Sequence, residues 1–338
     1  MAIGISGYGV YIPKFRIKRD DYAKAWGSFA AAGVSEKSVM GFDEDVLTAA
    51  AKVSRRALES VPIGPERVTR FALASTTPPY VEKLLSGTVV VSLGIPNSAF
   101  CSDHTTSTRA GTEAMLACIE HLMANPKGIA LVAAADAPVA SMWDSFEHGL
   151  GAGAAAYVLS SENLVAEYEG HASYVSEYFG ERFRTREDEV LRDLNVKKFF
   201  ESSLINNTTK AATALLKKLD RKPEDYNHVV VQQPDARVPM TVGARLQFKE
   251  AQISAAMTAN VLGDLGAAST PVSLAAALDS SRAGDRILVI SYGSGAGSDA
   301  VSLKVVSDRR PALTYKTEVE RKEYIDYVKY LKLRKAMV

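Results

Sequence analysis

Cysteine is almost missing from this chain of 338 residues: Cys101 and Cys118 are the only two, too few for a disulfide framework. A reducing, cytoplasmic setting is therefore expected. Histidine is scarce as well. His104, His121, His148, His171 and His228 never pair at ligand spacing, so no metal site is expected. Nor does one sign of charge prevail, since 40 Lys+Arg face 39 Asp+Glu for a formal net charge of +1. That balance removes the electrostatic footprint of a nucleic-acid or anionic-membrane partner. No apolar run approaches the roughly 20 residues of a membrane span. The opening residues 1–9 lack the basic and apolar regions of a signal peptide. What is present is apolar material: 47% of the residues are hydrophobic, which excludes a disordered or collagen-like chain.

An internal repeat organises that material. At an offset of 158 residues, Pro65-Glu66 returns as Pro223-Glu224, and Leu58 returns as Leu216. Phe71–Leu73 returns as Val229–Val231, Thr112 and Leu116 as Thr270 and Leu274, and Ile129–Val132 as Ile287–Ile290. The offset then shortens to 144, through an insertion around Pro138–His148, and Gly149–Gly153 matches Gly293–Gly297. Each copy reads helix, strand, helix, strand, glycine-rich turn, strand. The strands are short continuous apolar runs, the pattern of sheets buried on both faces. Two halves are expected, 1–165 and 166–338. Residues 166–208, rich in charge and in aromatics (Tyr174, Tyr178, Phe179, Phe183, Phe199, Phe200), are expected to form a lid or tunnel segment. The tail from Lys316, with Tyr324, Tyr327 and Tyr330, is expected as a solvated or subunit-contacting surface.

The glycine-rich turns do not bind nucleotides by any familiar pattern. Gly293-x-Gly295-x-Gly297 is followed by Ser298 where a dinucleotide fingerprint needs glycine, and Gly149-x-Gly151-x-Gly153 fails similarly. Neither carries the Lys-Ser/Thr of a P-loop, and no Gly-x-Ser-x-Gly elbow exists.

The duplicated half with its Gly-x-Gly-Ala-Gly-Ser-Asp-Ala close (Gly293–Ala300) resembles the thiolase superfamily. The opening Gly7–Pro13 and the closing Tyr324–Tyr327 are similar to the short, archaeal-type hydroxymethylglutaryl-CoA synthases. The resemblance spans nearly the whole chain. It implies a five-layered α/β/α/β/α thiolase fold with internal duplication, a homodimer through a central strand (here Ser98–Ser102), and a coenzyme A thioester as ligand.

The family uses a glutamate, a nucleophilic cysteine and a histidine: a thiolate takes the acyl group and a base deprotonates the second substrate. In this chain Thr76, Thr108 and Gln232 stand at those three positions, and Asp264 replaces the asparagine that follows a glycine. A threonine hydroxyl is a poor nucleophile without a base, and losing a general base forfeits about 10²–10⁴ in rate. Cys101 and Cys118 read as inert core thiols. The resemblance also implies an oxyanion hole from backbone amides at Thr108 and the Gly293–Gly295 turn. Arg182, Arg184 and Arg186 are candidates for the CoA phosphates.

The same replacements resemble those of the ketosynthase-like subunit of bacterial acetylphloroglucinol acetyltransferases. The expectation is therefore a subunit of a CoA-dependent acyltransferase complex that does not itself carry the acyl group. Its implied partners are a catalytic thiolase chain and a small zinc-ribbon/OB-fold protein. The alternatives are an active acyltransferase or carbon–carbon lyase on CoA thioesters with rearranged catalytic residues, or a hydroxymethylglutaryl-CoA synthase.

Overall fold

The computed structural model describes residues 2–142, 144–176, 182–194 and 200–335. In chain order its strands are β1 (Gly4–Tyr11), β2 (Phe15–Lys18), β3 (Glu36–Val39), β4 (Arg70–Ala74) and β5 (Phe100–His104). They continue as β6 (Ala130–Asp136), β7 (Gly153–Ser160), β8 (Ala166–Val175), β9 (Arg182–Phe183) and β10 (Arg192–Asp193). The remainder are β11 (His228–Val231), β12 (Arg286–Gly293), β13 (Gly297–Val305) and β14 (Glu323–Tyr324).

Nine of these make one sheet in the order β11-β12-β13-β8-β1-β7-β6-β4-β5. Read outward from the centre, β1-β7-β6-β4 and β8-β13-β12-β11 are the same arrangement twice, as the repeat requires. The copies meet at β1 and β8 through two residue pairs, Gly4 with Glu167 and Ile5 with Ala166. One element breaks the symmetry. The stretch equivalent to edge strand β5 is the short helix Ala259–Leu262, so only the first copy ends on a strand there.

Helices complete five layers. Helix Val46–Glu59 buries Val46, Ala49, Ala50, Val53 and Ala57, a stripe at helical spacing, on the outer face of the first copy. Its start is fixed by a capping box: Thr48 N donates to Asp45 Oδ1 at 2.8 Å, and Asp45 N donates to Thr48 Oγ1 at 2.8 Å. Helix Asn206–Lys218 covers the second copy in the same way. Between the two halves lie helices Ala110–Ala124 and Ser269–Ser280, sharing one core cluster with residues of both copies. Gly111 lets them approach, since a Cβ there would stand 2.6 Å from the Ala267 carbonyl oxygen.

Two expectations need correction. The segment 166–208 is not a lid throughout, because its first ten residues are β8, a sheet strand. An irregularity in its pairing with β13 near Gly170 switches its faces, so that Tyr168 packs on the central core and Ala172 and Tyr174 on the outer one. Tyr178, Phe179 and Phe199 fall outside the described residues. The tail is not a free surface either. β14 pairs with β2, and helix Tyr327–Leu333 closes a small core of Ile17, Tyr22, Val39, Ile325 and Tyr330. There Glu147 accepts from Lys37 Nζ at 3.0 Å, from Tyr22 at 2.7 Å, from Arg334 at 2.6 Å and from Tyr330. Among the described residues no helix is long and apolar enough to cross a membrane.

Candidate functional site

The turn 105–109 precedes helix Ala110–Ala124, whose positive N-terminal end points back at it. Arg109 anchors that turn by donating from Nη1 to both oxygens of Asp299, at 2.8 and 2.9 Å. Thr108 Oγ1 donates to the Tyr292 carbonyl at 2.9 Å. Its proton is engaged by that carbonyl.

Across from Thr108, Gln232 ends the run that begins at β11 and is buried. Its Nε2 donates to Gly266 O at 3.1 Å, and its Oε1 accepts from Thr270 Oγ1 at 2.6 Å. Gly266 N in turn donates to Asp264 Oδ1 at 2.9 Å. Gln232 and Asp264 therefore grip one glycine, whose φ of +56° suits it to this turn. Asp264 itself is tied down by its backbone: its N–H donates to Gly149 O at 2.7 Å, and its carbonyl accepts from Gly151 N at 2.8 Å. Burial pushes its carboxyl above the ordinary aspartate value, against the opposing pull of Arg182, whose Nη1 pairs with Oδ2.

Thr76 does not face these groups directly. Its hydroxyl donates at 2.6 Å to Asp136 Oδ2, which also accepts from Ala267 N at 2.7 Å. Thr77 and Ser75 bond the other Asp136 oxygen. Asp136 is fully buried, and sequence reasoning missed it. The signal was there: one carboxylate closing the apolar run Ala130–Ala135.

Two spaces meet at this place. An outer cleft of about 260 Å³ is lined by Thr76, Thr105–Thr108, Arg182–Arg184, Leu191 and Ser294. An inner cavity of about 60 Å³ is bounded by Thr108, Phe146, Arg182, Gln232, Asp264 and Tyr292, among others. Thr108, Arg182 and Ser294 belong to both. The four expected positions thus converge, with Thr76 at the cleft and Thr108, Gln232 and Asp264 at the cavity. Neither lining holds a cysteine or a histidine among the described residues. Cys118 is buried beside Arg70, and Cys101 lies half-buried on β5, more open than expected for a core thiol.

The three arginines part ways. Arg182 points inward to Asp264, Arg184 donates to Thr76 O at 3.0 Å at the cleft rim, and Arg186 is exposed. Gly293 is the last rung of β12, opposite Gly297, and lies against Ser107. Gly295 turns with φ of +88°.

Residues 216–305 match the model of the 3-oxoacyl-[acyl-carrier-protein] synthase III C-terminal family. The hydroxymethylglutaryl-CoA synthase of Methanococcus vannielii is 34% identical over 344 residues, covering 98% of each chain. That of Archaeoglobus fulgidus is 33% identical over 346 residues, again with 98% of each covered. The chain belongs to the hydroxymethylglutaryl-CoA synthase family. Among solved structures, MvaS in complex with 3-hydroxy-3-methylglutaryl coenzyme A superposes with a TM-score of 0.86 at 19% identity, covering 99% of this chain and 92% of that one. The 3-oxoacyl-[acyl-carrier-protein] synthase III of Aquifex aeolicus gives 0.80 at 21% identity, covering 89% and 99%. These share the fold, as expected.

The whole-length likeness overturns the expectation of a non-catalytic subunit. Members of the hydroxymethylglutaryl-CoA synthase family named as enzymes match this chain nearly end to end at 33–34% identity.

Proposed function

We propose that this chain is an active enzyme on short acyl-CoA thioesters that makes or breaks a carbon–carbon bond next to the thioester carbonyl, without an acyl-enzyme. The observation that carries this reading is Asp264: a buried carboxylate, raised above its ordinary pKa, bounding a cavity with no thiol or imidazole among the described residues that line it. A base poised nearer neutrality suits proton abstraction from carbon. In the forward sense Asp264 takes the proton from the carbon beside the thioester carbonyl. The electron pair moves to the carbonyl oxygen, the enolate adds to a second carbonyl, and the proton held by Asp264 passes to the alkoxide so formed. The reverse sequence cleaves that bond. Neither direction requires Thr108 to attack anything.

The ligand class is supported by the family, whose relatives are named for hydroxymethylglutaryl-CoA, and by MvaS bound to that thioester. The acyl end would occupy the inner cavity and the pantetheine the outer cleft, with Arg184 at the rim for a phosphate. Backbone amides at Thr108 and Gly295 would help polarise the carbonyl. The working form we propose is a homodimer through β5, the edge strand of the sheet. A thiolase chain or a zinc-ribbon/OB-fold protein in the same assembly would appear on copurification.

The test is deuterium exchange. In D₂O the protein should label the acyl carbon of acetyl-CoA or a short 3-oxoacyl-CoA, and Asp264→Asn should lose about 10²–10⁴ of that rate. Its intact mass should stay unmodified. No exchange with any short acyl-CoA, or an acyl adduct on Thr108 or Cys101, overturns the reading.

A further inference from the structure

The pairing of Arg182 with Asp264 is incomplete in a way that points at a ligand. A guanidinium and a carboxylate usually meet as two parallel N–H···O bonds. Here Gly266 N donates to Asp264 Oδ1, and Arg182 reaches only Oδ2, through Nη1. Arg182 Nη2 is buried and has no hydrogen-bond partner. The side chain is 12% exposed, its guanidinium carbon lies 5.6 Å from the Phe146 ring centroid, and the backbone N–H of Arg182 donates to Ser294 Oγ at 3.2 Å. The orphan donor is thus held in place at the junction of cleft and cavity. A buried charged donor without an acceptor is unfavourable, an arrangement that a ligand oxygen would relieve.

We infer that Arg182 is a catalytic residue, its Nη2–H donating to the thioester carbonyl oxygen as that oxygen becomes an enolate. This inference rests on the proton-transfer reading above. The atoms balance within it: the C–H bond breaks, the proton goes to Asp264, and the electron pair goes to the oxygen facing Arg182. Return of the proton to carbon restores both groups. No acyl group leaves, and no oxidant or further reactant is consumed. One guanidinium then serves two charges in turn, the carboxylate at rest and the enolate during reaction. The inner cavity supplies the dry surroundings in which such a contact is strong.

Exchange of acetyl-CoA protons in D₂O tests this with the full chain. Arg182→Gln should slow exchange by about 10²–10³ while leaving the dissociation constant of acetyl-CoA little changed. Arg182→Lys, which keeps a cation, should recover part of the loss. The acid limb of the rate–pH profile should move to higher pH in Arg182→Gln, because Asp264 loses the cation that favours its ionised form. Full-rate exchange by Arg182→Gln overturns the inference and leaves the proton-transfer reading standing. So does a loss shared equally by the lysine variant with an unmoved acid limb, the signature of a structural role. Absence of exchange by the wild type overturns both.

Discussion

The α-carbon of Gly293 faces the side chain of Ser107 so closely that a Cβ on Gly293 would stand 1.7 Å from Ser107 Oγ. The same Cβ would be 3.1 Å from the Arg109 backbone nitrogen. The turn that presents Thr108 is therefore shaped by the absence of a side chain one strand away. Gly293→Ala should destabilise the fold by about 1–3 kcal/mol, the usual range for overpacking, and should displace Thr108 from Tyr292 O. Urea denaturation reads the first effect. Adding Ser107→Gly should return most of the lost stability, and no recovery would show that the backbone at Arg109 is the obstacle.

Lys37 should make stability rise with pH in an unusual window. It is fully enclosed between Glu147, Tyr22 and Tyr330, and burial lowers its pKa from 10.5 to about 8. Glu147 opposes that shift, and Arg334 reinforces it. The native state therefore releases this proton earlier than the unfolded chain does. Between about pH 8 and 10.5 the unfolded state binds more protons, so this group makes folding more favourable as pH increases. Denaturation midpoints of wild type and Lys37→Met, compared from pH 7 to 10.5, should diverge with the wild type gaining. Parallel curves would mean that Lys37 titrates normally.

The two thiols should separate cleanly by alkylation. Burial and the neighbouring Asp103 carboxylate raise Cys101 above the ordinary thiol value of 9.0, and burial likewise raises Cys118. Only Cys101 has access to solvent. In separated protomers iodoacetamide should modify Cys101 slowly at neutral pH and faster above pH 9, pairing through β5 should shield it, and Cys118 should react only on unfolding. Rapid labelling of Cys101 at pH 7 would give it a reactivity that its surroundings do not provide.

Much of the architecture was legible because it depends on periodicity and repetition. The offset of 158 residues places β4 on β11, β6 on β12, and helix Ala110–Ala124 on helix Ser269–Ser280. Convergence of Thr108, Gln232 and Asp264 was legible for the same reason, since each follows a strand or precedes a helix of the repeat. Arg182 was not. Its approach to Asp264 joins a two-residue strand to a turn 82 positions away, and no local pattern records such a pair. The tail misled because charge and tyrosine spacing look alike on a solvated helix and on one closing a polar core. Glu147, reaching Tyr330 and Arg334 from the insertion of the first copy, distinguishes them. The counterpart of β5 was not legible from the repeat: residues 258–262 lie at the same offset, yet they form a short helix ended by Gly263, with φ of +79°.

The place of β1 at the middle of the sheet has a consequence for synthesis. All eight of its residues are buried, yet its main partner is β7, which ends at Ser160, and its other neighbour β8 follows that. At translation speeds of roughly 5–20 residues per second, the strand waits on the order of ten seconds between leaving the ribosome and meeting β7. Throughout that interval Ile5, Tyr8 and Val10 stay in water or in the care of a chaperone. Nascent chains arrested before Ser160 should therefore be held by chaperones and cut readily by proteases, and those released beyond β8 should resist both.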